Sequence, residues 1–141
     1  MKRISFILLL IIASTFGRAQ DTYKIYHNNK IVLSSNTNDT ASHVILIKKA
    51  DLQKIGYLNL VYKEISPSKG WKRSISFADS VFNPVKKKDR TFSVVFSNIN
   101  LKKLFNRFGK IAVFTWSLPL DPRLAAAIRI RRVHLCTLQL Q

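Results

Sequence analysis

The sequence predicts an all-β protein, an antiparallel β-sandwich of about eight strands with one short crossing helix, preceded by a cleaved signal peptide. Three observations lead to this expectation. Short segments of alternating apolar and polar residues recur along the chain, turn-forming Gly, Pro and Asn residues separate them, and one longer segment has helical spacing. No regular alternation of strands with helices is visible, so we do not expect a parallel sheet.

The first 19 residues have the order of charge and hydropathy of a signal peptide. Basic residues precede an uncharged 13-residue run, Ile4–Phe16, and the small residues Gly17 and Ala19 follow it. We therefore expect cleavage after Ala19. A spanning helix needs roughly 20 apolar residues, more than this run has, and the charged start disfavours a buried core helix. The chain is predicted to be exported to the periplasm or beyond the cell.

Residues 20–141 make one predicted domain of 122 residues, long enough to bury a core without a disulfide or a metal. Its single cysteine, Cys136, lies in an apolar run and is expected to be buried. The first 19 residues hold three of the 24 basic residues and none of the seven acidic ones. The domain thus has 21 basic and seven acidic side chains, a formal charge of +14. Such a field attracts anionic partners, although it also keeps a small β-domain soluble.

The first predicted strands form a hairpin. Tyr23–His27 and Lys30–Ser35 flank Asn28-Asn29, and asparagine tolerates the positive φ angles of a tight turn. His43–Lys48 is predicted to be a short apolar strand. Lys49–Ile55 then has the spacing of a single helical turn, which ends before a glycine.

The middle of the chain contains three further predicted strands. Tyr57–Ile65 and Trp71–Asp79 alternate apolar with polar residues, as half-buried strands do. Phe82–Arg90 includes a proline and three consecutive lysines, and we expect it to be a loop. Thr91–Phe96 is the strand that follows.

A change of period marks the predicted helix, Asn98–Phe108, with Asn98 as its N-cap and Gly109 as its stop signal. Lys110–Ser117 returns to strand spacing, and a proline-containing segment ends it. The last long strand is predicted over Ile128–Gln141, after a short turn opened by Asp121-Pro122. The apolar phase slips near Arg131-Arg132, so a bulge is expected there.

Residue types used in catalysis are present, but not in catalytic patterns. The three histidines are scattered, and a structural zinc site needs four nitrogen or sulfur ligands. Glu64 and Asp79 lie on neighbouring predicted strands, which leaves a paired-carboxylate site open. His134 and Cys136 are two residues apart on the same face of one predicted strand, which also leaves a Cys–His contact open. We predict no catalytic residue, no metal and no cofactor.

The basic clusters are the strongest candidates for a binding site. Cations interleaved with an aromatic side chain suit anionic polymers, which they hold by charge and stacking. A charge run is also a common feature of solvated surface, and a tryptophan commonly packs at the edge of a core. Arg129 and Arg131 are expected to share a strand face, with Arg132 beside them. The predicted anion-binding residues are Lys86, Lys87, Lys88, Arg90, Arg129, Arg131, Arg132, Lys72, Arg73 and Trp71.

The functional prediction is an exported, non-catalytic binding or structural module of the cell envelope that binds an anionic partner. The partners considered are anionic polysaccharide, lipid headgroups or another envelope protein, and nucleic acid is less favoured. One alternative is a protein-interaction module that pairs through an exposed strand edge. Another is a barrel-like carrier of a small apolar ligand, which needs an internal cavity of at least ~300 Å³.

Overall fold

The computed structural model describes residues 20–39 and 41–141. The predicted signal peptide, residues 1–19, lies outside the described residues. Over the part that is described, no helix combines the length and the apolar character needed to cross a membrane.

The described chain is mostly β, with nine strands. They are β1 (Thr22–His27), β2 (Lys30–Asn36), β3 (Val44–Ile47), β4 (Tyr57–Lys63), β5 (Trp71–Ala78), β6 (Pro84–Asp89), β7 (Ser93–Ser97), β8 (Lys110–Pro119) and β9 (Val133–Leu140). Helix α1 (Asn98–Phe108) follows β7 directly, and the shorter α2 (Pro122–Ala127) follows β8. A 3₁₀ turn spans Asp51–Gln53.

The strands form two sheets. One has four antiparallel strands in the order β2-β1-β4-β7, and the other has five in the order β3-β9-β8-β5-β6. In the five-stranded sheet β3 and β9 run parallel, with Val44 opposite Thr137 and Ile47 opposite Leu140. The expectation of wholly antiparallel pairing was therefore wrong for this pair. Residues 48–132 separate the two strands, which is far more than the dozen or so residues that a parallel crossover connection needs.

Both sheets contribute side chains to one hydrophobic core. The four-stranded sheet contributes Leu58, Leu60 and Tyr62 of β4, which are buried as their alternation predicted. The five-stranded sheet contributes the buried Ile75 and Phe77 of β5. Contacts join the two sheets directly. The Phe77 and Phe96 rings are 4.6 Å apart between centroids, and the Tyr23 hydroxyl donates to the Leu135 carbonyl at 2.8 Å.

Several predicted local structures are confirmed. Asn28 and Asn29 have φ angles of 49° and 66° in the β1–β2 turn, as that hairpin requires. Helix α1 covers the predicted residues and ends at Gly109, whose φ is 67°. Its N-cap is Ser97, which accepts a hydrogen bond from the Asn100 amide, so the assignment of Asn98 as the cap was wrong.

Strand β6 corrects the prediction of a loop over Phe82–Arg90. The three lysines pair with β5 and form the outer strand of the five-stranded sheet. Lysines are common on exposed edge strands because they discourage pairing with a second chain. The hairpin between β5 and β6 is therefore tighter than expected, and its tip is Asp79–Asn83.

The C-terminal strand is shorter than predicted, because residues 128–132 are not in a strand. A bulge was expected near Arg131-Arg132, but it lies at Leu135. There His134 is opposite Phe114 and Cys136 is opposite Val113, so Leu135 has no partner in β8. One extra residue there reverses the side on which the next side chain lies. His134 consequently faces outward while Cys136 is fully buried, and the expectation that they share a face was wrong.

Candidate functional site

The outer face of the five-stranded sheet has a row of aromatic side chains. In β8, Val113 and Thr115 face the core, so Phe114 and Trp116 lie on the opposite face of the sheet. Neighbouring side chains cover Trp116, which is 7 % exposed. Phe114 contacts Phe82 of the β5–β6 turn and His134 of β9, with ring centroids 5.7 Å and 5.2 Å away. Partial desolvation is the main reason that the pKa of His134 is below its usual value.

Two cations from separate parts of the chain meet at the Trp116 ring. The Arg132 guanidinium carbon is 5.1 Å from the ring centroid, and the Lys87 ammonium nitrogen is 5.6 Å from it. Lys72 lies on the same side of β5, in register with Leu118, close enough to help lower the pKa of Asp89. We call Lys72, Lys87 and Arg132 around Trp116 the cationic face.

Asp89 is the carboxylate beside this face. Ser74 donates a hydrogen bond to it, and the Lys87 ammonium lies 3.2 Å from one of its oxygens. The hydrogen bond from Ser74 is the main reason that the pKa of Asp89 is below its usual value, and Lys87 adds to it. One negative charge thus offsets one of the three cations, and the face remains positive.

The other lysines of β6 lie on the opposite side of the strand. Lys86 is in register with Phe77, and its ammonium lies 4.5 Å from the Phe96 ring centroid. Lys88 is in register with Ile75, on that same side. The predicted cluster is therefore divided by the two-residue period of the strand, and Lys87 alone joins the cationic face.

Arg129 and Arg131 are exposed in the segment that precedes β9. They were predicted to share a strand face, which is wrong because this segment is not a strand. Of these three arginines, Arg132 is the one that contacts Trp116 and so belongs to the cationic face.

The remaining predicted residues, Trp71, Arg73 and Arg90, gather at one end of the molecule, where Lys72 of the cationic face adjoins them. Trp71, Lys72, Arg73 and Arg90 line a cleft of about 280 Å³ together with Phe92 and Leu120. An adjoining cleft of about 340 Å³ shares Trp71, Arg73 and Phe92, and it also contains Asp21 and Glu64.

Arg73 is held within this end cleft by other side chains. Its Nε donates to Glu64, its Nη1 donates to the Thr115 hydroxyl at 3.1 Å, and its Nη2 lies 3.7 Å from Asp21. The guanidinium carbon also lies 4.2 Å from the Tyr62 ring centroid. Two carboxylates thus neutralise Arg73, whose side chain is 10 % exposed. Sequence reasoning missed Asp21 because it lies far from Arg73 along the chain. It missed Glu64, nine positions from Arg73, because β4 and β5 belong to different sheets and do not pair.

Tyr62 completes this network. Its hydroxyl donates to Asp21 at 2.8 Å. Burial is the main reason that the pKa of Tyr62 is raised, and the hydrogen bond to Asp21 adds to it. At the other end of the four-stranded sheet, the buried side-chain amide of Asn98 hydrogen-bonds with His27 and Asn28.

The groups that resemble catalytic sets lack catalytic geometry. Asp39 and Ser35 both contact the same nitrogen of His43, Nε2, at 2.9 Å and 3.3 Å. A Ser-His-Asp triad needs the carboxylate on one ring nitrogen and the hydroxyl on the other. Burial raises the pKa of the Cys136 thiol, which disfavours the reactive thiolate.

The two carboxylates considered as a pair are also separated. Glu64 bonds to Arg73 at the beginning of β5, whereas Asp79 follows the end of that strand and accepts from the Val81 and Asn83 amides. Among residues 20–39 and 41–141, no group of three or more His, Cys, Asp or Glu side chains is arranged to hold a metal ion.

Comparison of the chain with protein-family models, with curated proteins and with solved structures finds no match. The function is therefore inferred from the geometry of the chain itself.

Proposed function

We propose that this chain is an exported, non-catalytic binding module whose cationic face holds an anionic polymer or an anionic surface. The observation that carries the proposal is the meeting of Lys87 and Arg132 at one indole ring, Trp116. These cations are 45 positions apart in the sequence, and two separately predicted basic clusters supply them.

The chemistry of the cationic face suits a dense row of negative charges. Its three cations come from two neighbouring strands and from the segment before β9, so a run of sulfates, phosphates or carboxylates can contact all of them together. The formal charge of +14 for residues 20–141 adds long-range attraction, which salt weakens. The export step in this proposal depends on the predicted signal peptide.

We further propose that the two sheets stack face to face as a β-sandwich. The Phe77–Phe96 contact and the hydrogen bond from Tyr23 to Leu135 support this arrangement, since each joins one sheet to the other. Buried side chains from both sheets belong to one core cluster, which gives less support to a carrier of an apolar ligand.

Retention on immobilised heparin tests the cationic face. The triple variant Lys72→Gln/Lys87→Gln/Arg132→Gln is expected to elute at a clearly lower salt concentration than the unaltered chain. The matched control is Lys24→Gln/Lys63→Gln/Lys102→Gln, which removes the same charge from exposed lysines of the four-stranded sheet and α1.

The control variant is expected to elute between the unaltered chain and the first variant, because it loses only long-range attraction. Equal shifts for the two triple variants would mean that net charge alone causes retention. That outcome would refute a specific cationic face.

A strand-edge interaction module is the second candidate. Strand β2 is an outer strand of the four-stranded sheet, and its Ile31 and Val32 are exposed. Unlike β6, β2 does not carry a run of lysines that would oppose pairing with another strand. Pairing of this kind adds main-chain hydrogen bonds and would persist in high salt, whereas binding through the cationic face would not.

A further inference from the structure

The tip of the β5–β6 hairpin presents apolar side chains to solvent. Val81 is 69 % exposed and Phe82 is 62 % exposed, at adjacent positions. The backbone around them is well held, because one carboxylate oxygen of Asp79 accepts from the Val81 amide at 3.0 Å and from the Asn83 amide at 2.9 Å. The turn thus holds two apolar side chains away from the core.

Phe82 has an unusual backbone conformation for its size. Its φ angle is 63°, in the left-handed region that glycine and asparagine adopt with less strain. Strained residues of this kind concentrate at functional sites, where the surrounding structure maintains them. A bulky, exposed aromatic side chain at this position indicates that the apolar tip is a functional feature of the surface.

The tip is continuous with the cationic face. The Phe82 ring contacts Phe114, and Phe114 is two residues from Trp116 on the same side of β8. Two residues of a strand span roughly 7 Å, so the apolar tip and the cations around Trp116 share one surface. On the other side of the tip, Arg107 of α1 lines a cleft of about 270 Å³ with Asn83 and Pro84.

We propose that this surface docks on an anionic lipid bilayer, with Val81 and Phe82 inserted between headgroups and the cationic face against the phosphates. This inference rests on the proposed function and names the anionic partner. Charge complementarity selects an anionic surface. The exposed apolar pair selects lipid over a soluble polyanion, because a polysaccharide or nucleic acid offers no acyl layer to receive it.

Vesicle flotation tests the inference, using equal parts of phosphatidylcholine and phosphatidylglycerol, with pure phosphatidylcholine as the uncharged comparison. The unaltered chain, residues 20–141, is expected to float with the mixed vesicles only. The variant Val81→Ser/Phe82→Ser should lose at least about tenfold in vesicle affinity, because burying either side chain in an apolar environment is worth about that much. Its elution from heparin should not change.

The matched control is Ile31→Ser/Val32→Ser, which removes a similar exposed apolar pair from the edge strand β2 and should leave vesicle binding unchanged. Unaltered vesicle binding by the tip variant, or an equal loss in the control, would overturn the lipid proposal. The cationic face would stand in that case if its triple variant still eluted early from heparin. If the triple variant Lys72→Gln/Lys87→Gln/Arg132→Gln eluted from heparin with the unaltered chain, the proposed function itself would be refuted.

Discussion

Arg73 and Arg132 both contact aromatic rings of other strands, and their surroundings give them different roles. Arg73 lies 4.2 Å from the Tyr62 ring centroid, and Arg132 lies 5.1 Å from that of Trp116. Arg73 is nearly buried and faces two carboxylates, whereas Arg132 is exposed and shares its ring with a second cation. An arginine beside an aromatic ring thus belongs to a neutralised network at Tyr62 and to a face with excess positive charge at Trp116.

This difference shows that the neighbours of a cation decide whether its charge is available to a partner. Two carboxylates and the Thr115 hydroxyl already occupy the donors of Arg73. Around Trp116, Asp89 offsets one of three cations. We therefore expect changes at Arg73 to alter stability and changes at Arg132 to alter binding.

The largest expected effect is on stability at Arg73. Arg73→Met should lower the free energy of unfolding by about 3 kcal/mol, because it leaves two carboxylates together at a largely buried site. Arg132→Met should change it by less than about 0.5 kcal/mol, as is usual for exposed positions. Urea unfolding of both variants at neutral pH measures the difference. Equal losses would contradict the contrast between the two arginines.

A smaller effect is expected at alkaline pH. The pKa of Tyr62 is raised in the folded chain, mainly by burial, so the folded state holds this proton more tightly than the unfolded state does. The stability that this provides is complete below the unfolded pKa of about 10 and is lost as pH rises above it.

Tyr62→Phe should therefore weaken the decline of stability above about pH 10 that the unaltered chain undergoes. It should also cost about 1.5 kcal/mol at neutral pH, since the hydrogen bond to the Asp21 carboxylate is lost. Tyr57→Phe, at a partly exposed tyrosine, is the matched control. A parallel pH profile for Tyr62→Phe and the unaltered chain would argue against the raised pKa.

The smallest expected effect is at Asp89. Asp89→Asn keeps an oxygen that can accept the hydrogen bond from Ser74, but it removes the charge that offsets Lys87. The variant should elute from heparin at a slightly higher salt concentration, with stability changed by less than about 1 kcal/mol. Earlier elution would indicate that Asp89 orients Lys87 for binding rather than neutralising it.

The sequence predicted the local structures whose signals are local. Asn28-Asn29 determine a two-residue turn, the alternation in β4 identifies its buried face, and the spacing over 98–108 identifies α1. Strand β6 was missed because three consecutive lysines show no alternation of apolar and polar residues. The hydrogen bonds that stabilise β6 are those of its pairing with β5. The β3–β9 pairing joins segments that residues 48–132 separate, which no short-range pattern indicates.

The candidate site was predictable in residue type but not in arrangement. Basic residues near 86–90 and 129–132 were identified, but Trp116, the ring at which two of them meet, was not. The two-residue period of β6 could have separated Lys87 from Lys86 and Lys88, had that segment been recognised as a strand. The neutralisation of Arg73 depends on Asp21 and Glu64, which tertiary structure alone brings to it.

The most direct test of the cationic face uses the two tryptophans of the chain, Trp71 and Trp116. Their indole N–H signals can be followed by NMR during titration with a heparin oligosaccharide and assigned with a Trp71→Phe variant. We predict a saturable shift that is largest for Trp116, because Lys87 and Arg132 lie against its ring. A shift confined to Trp71 would place the bound anion in the end cleft and contradict the account.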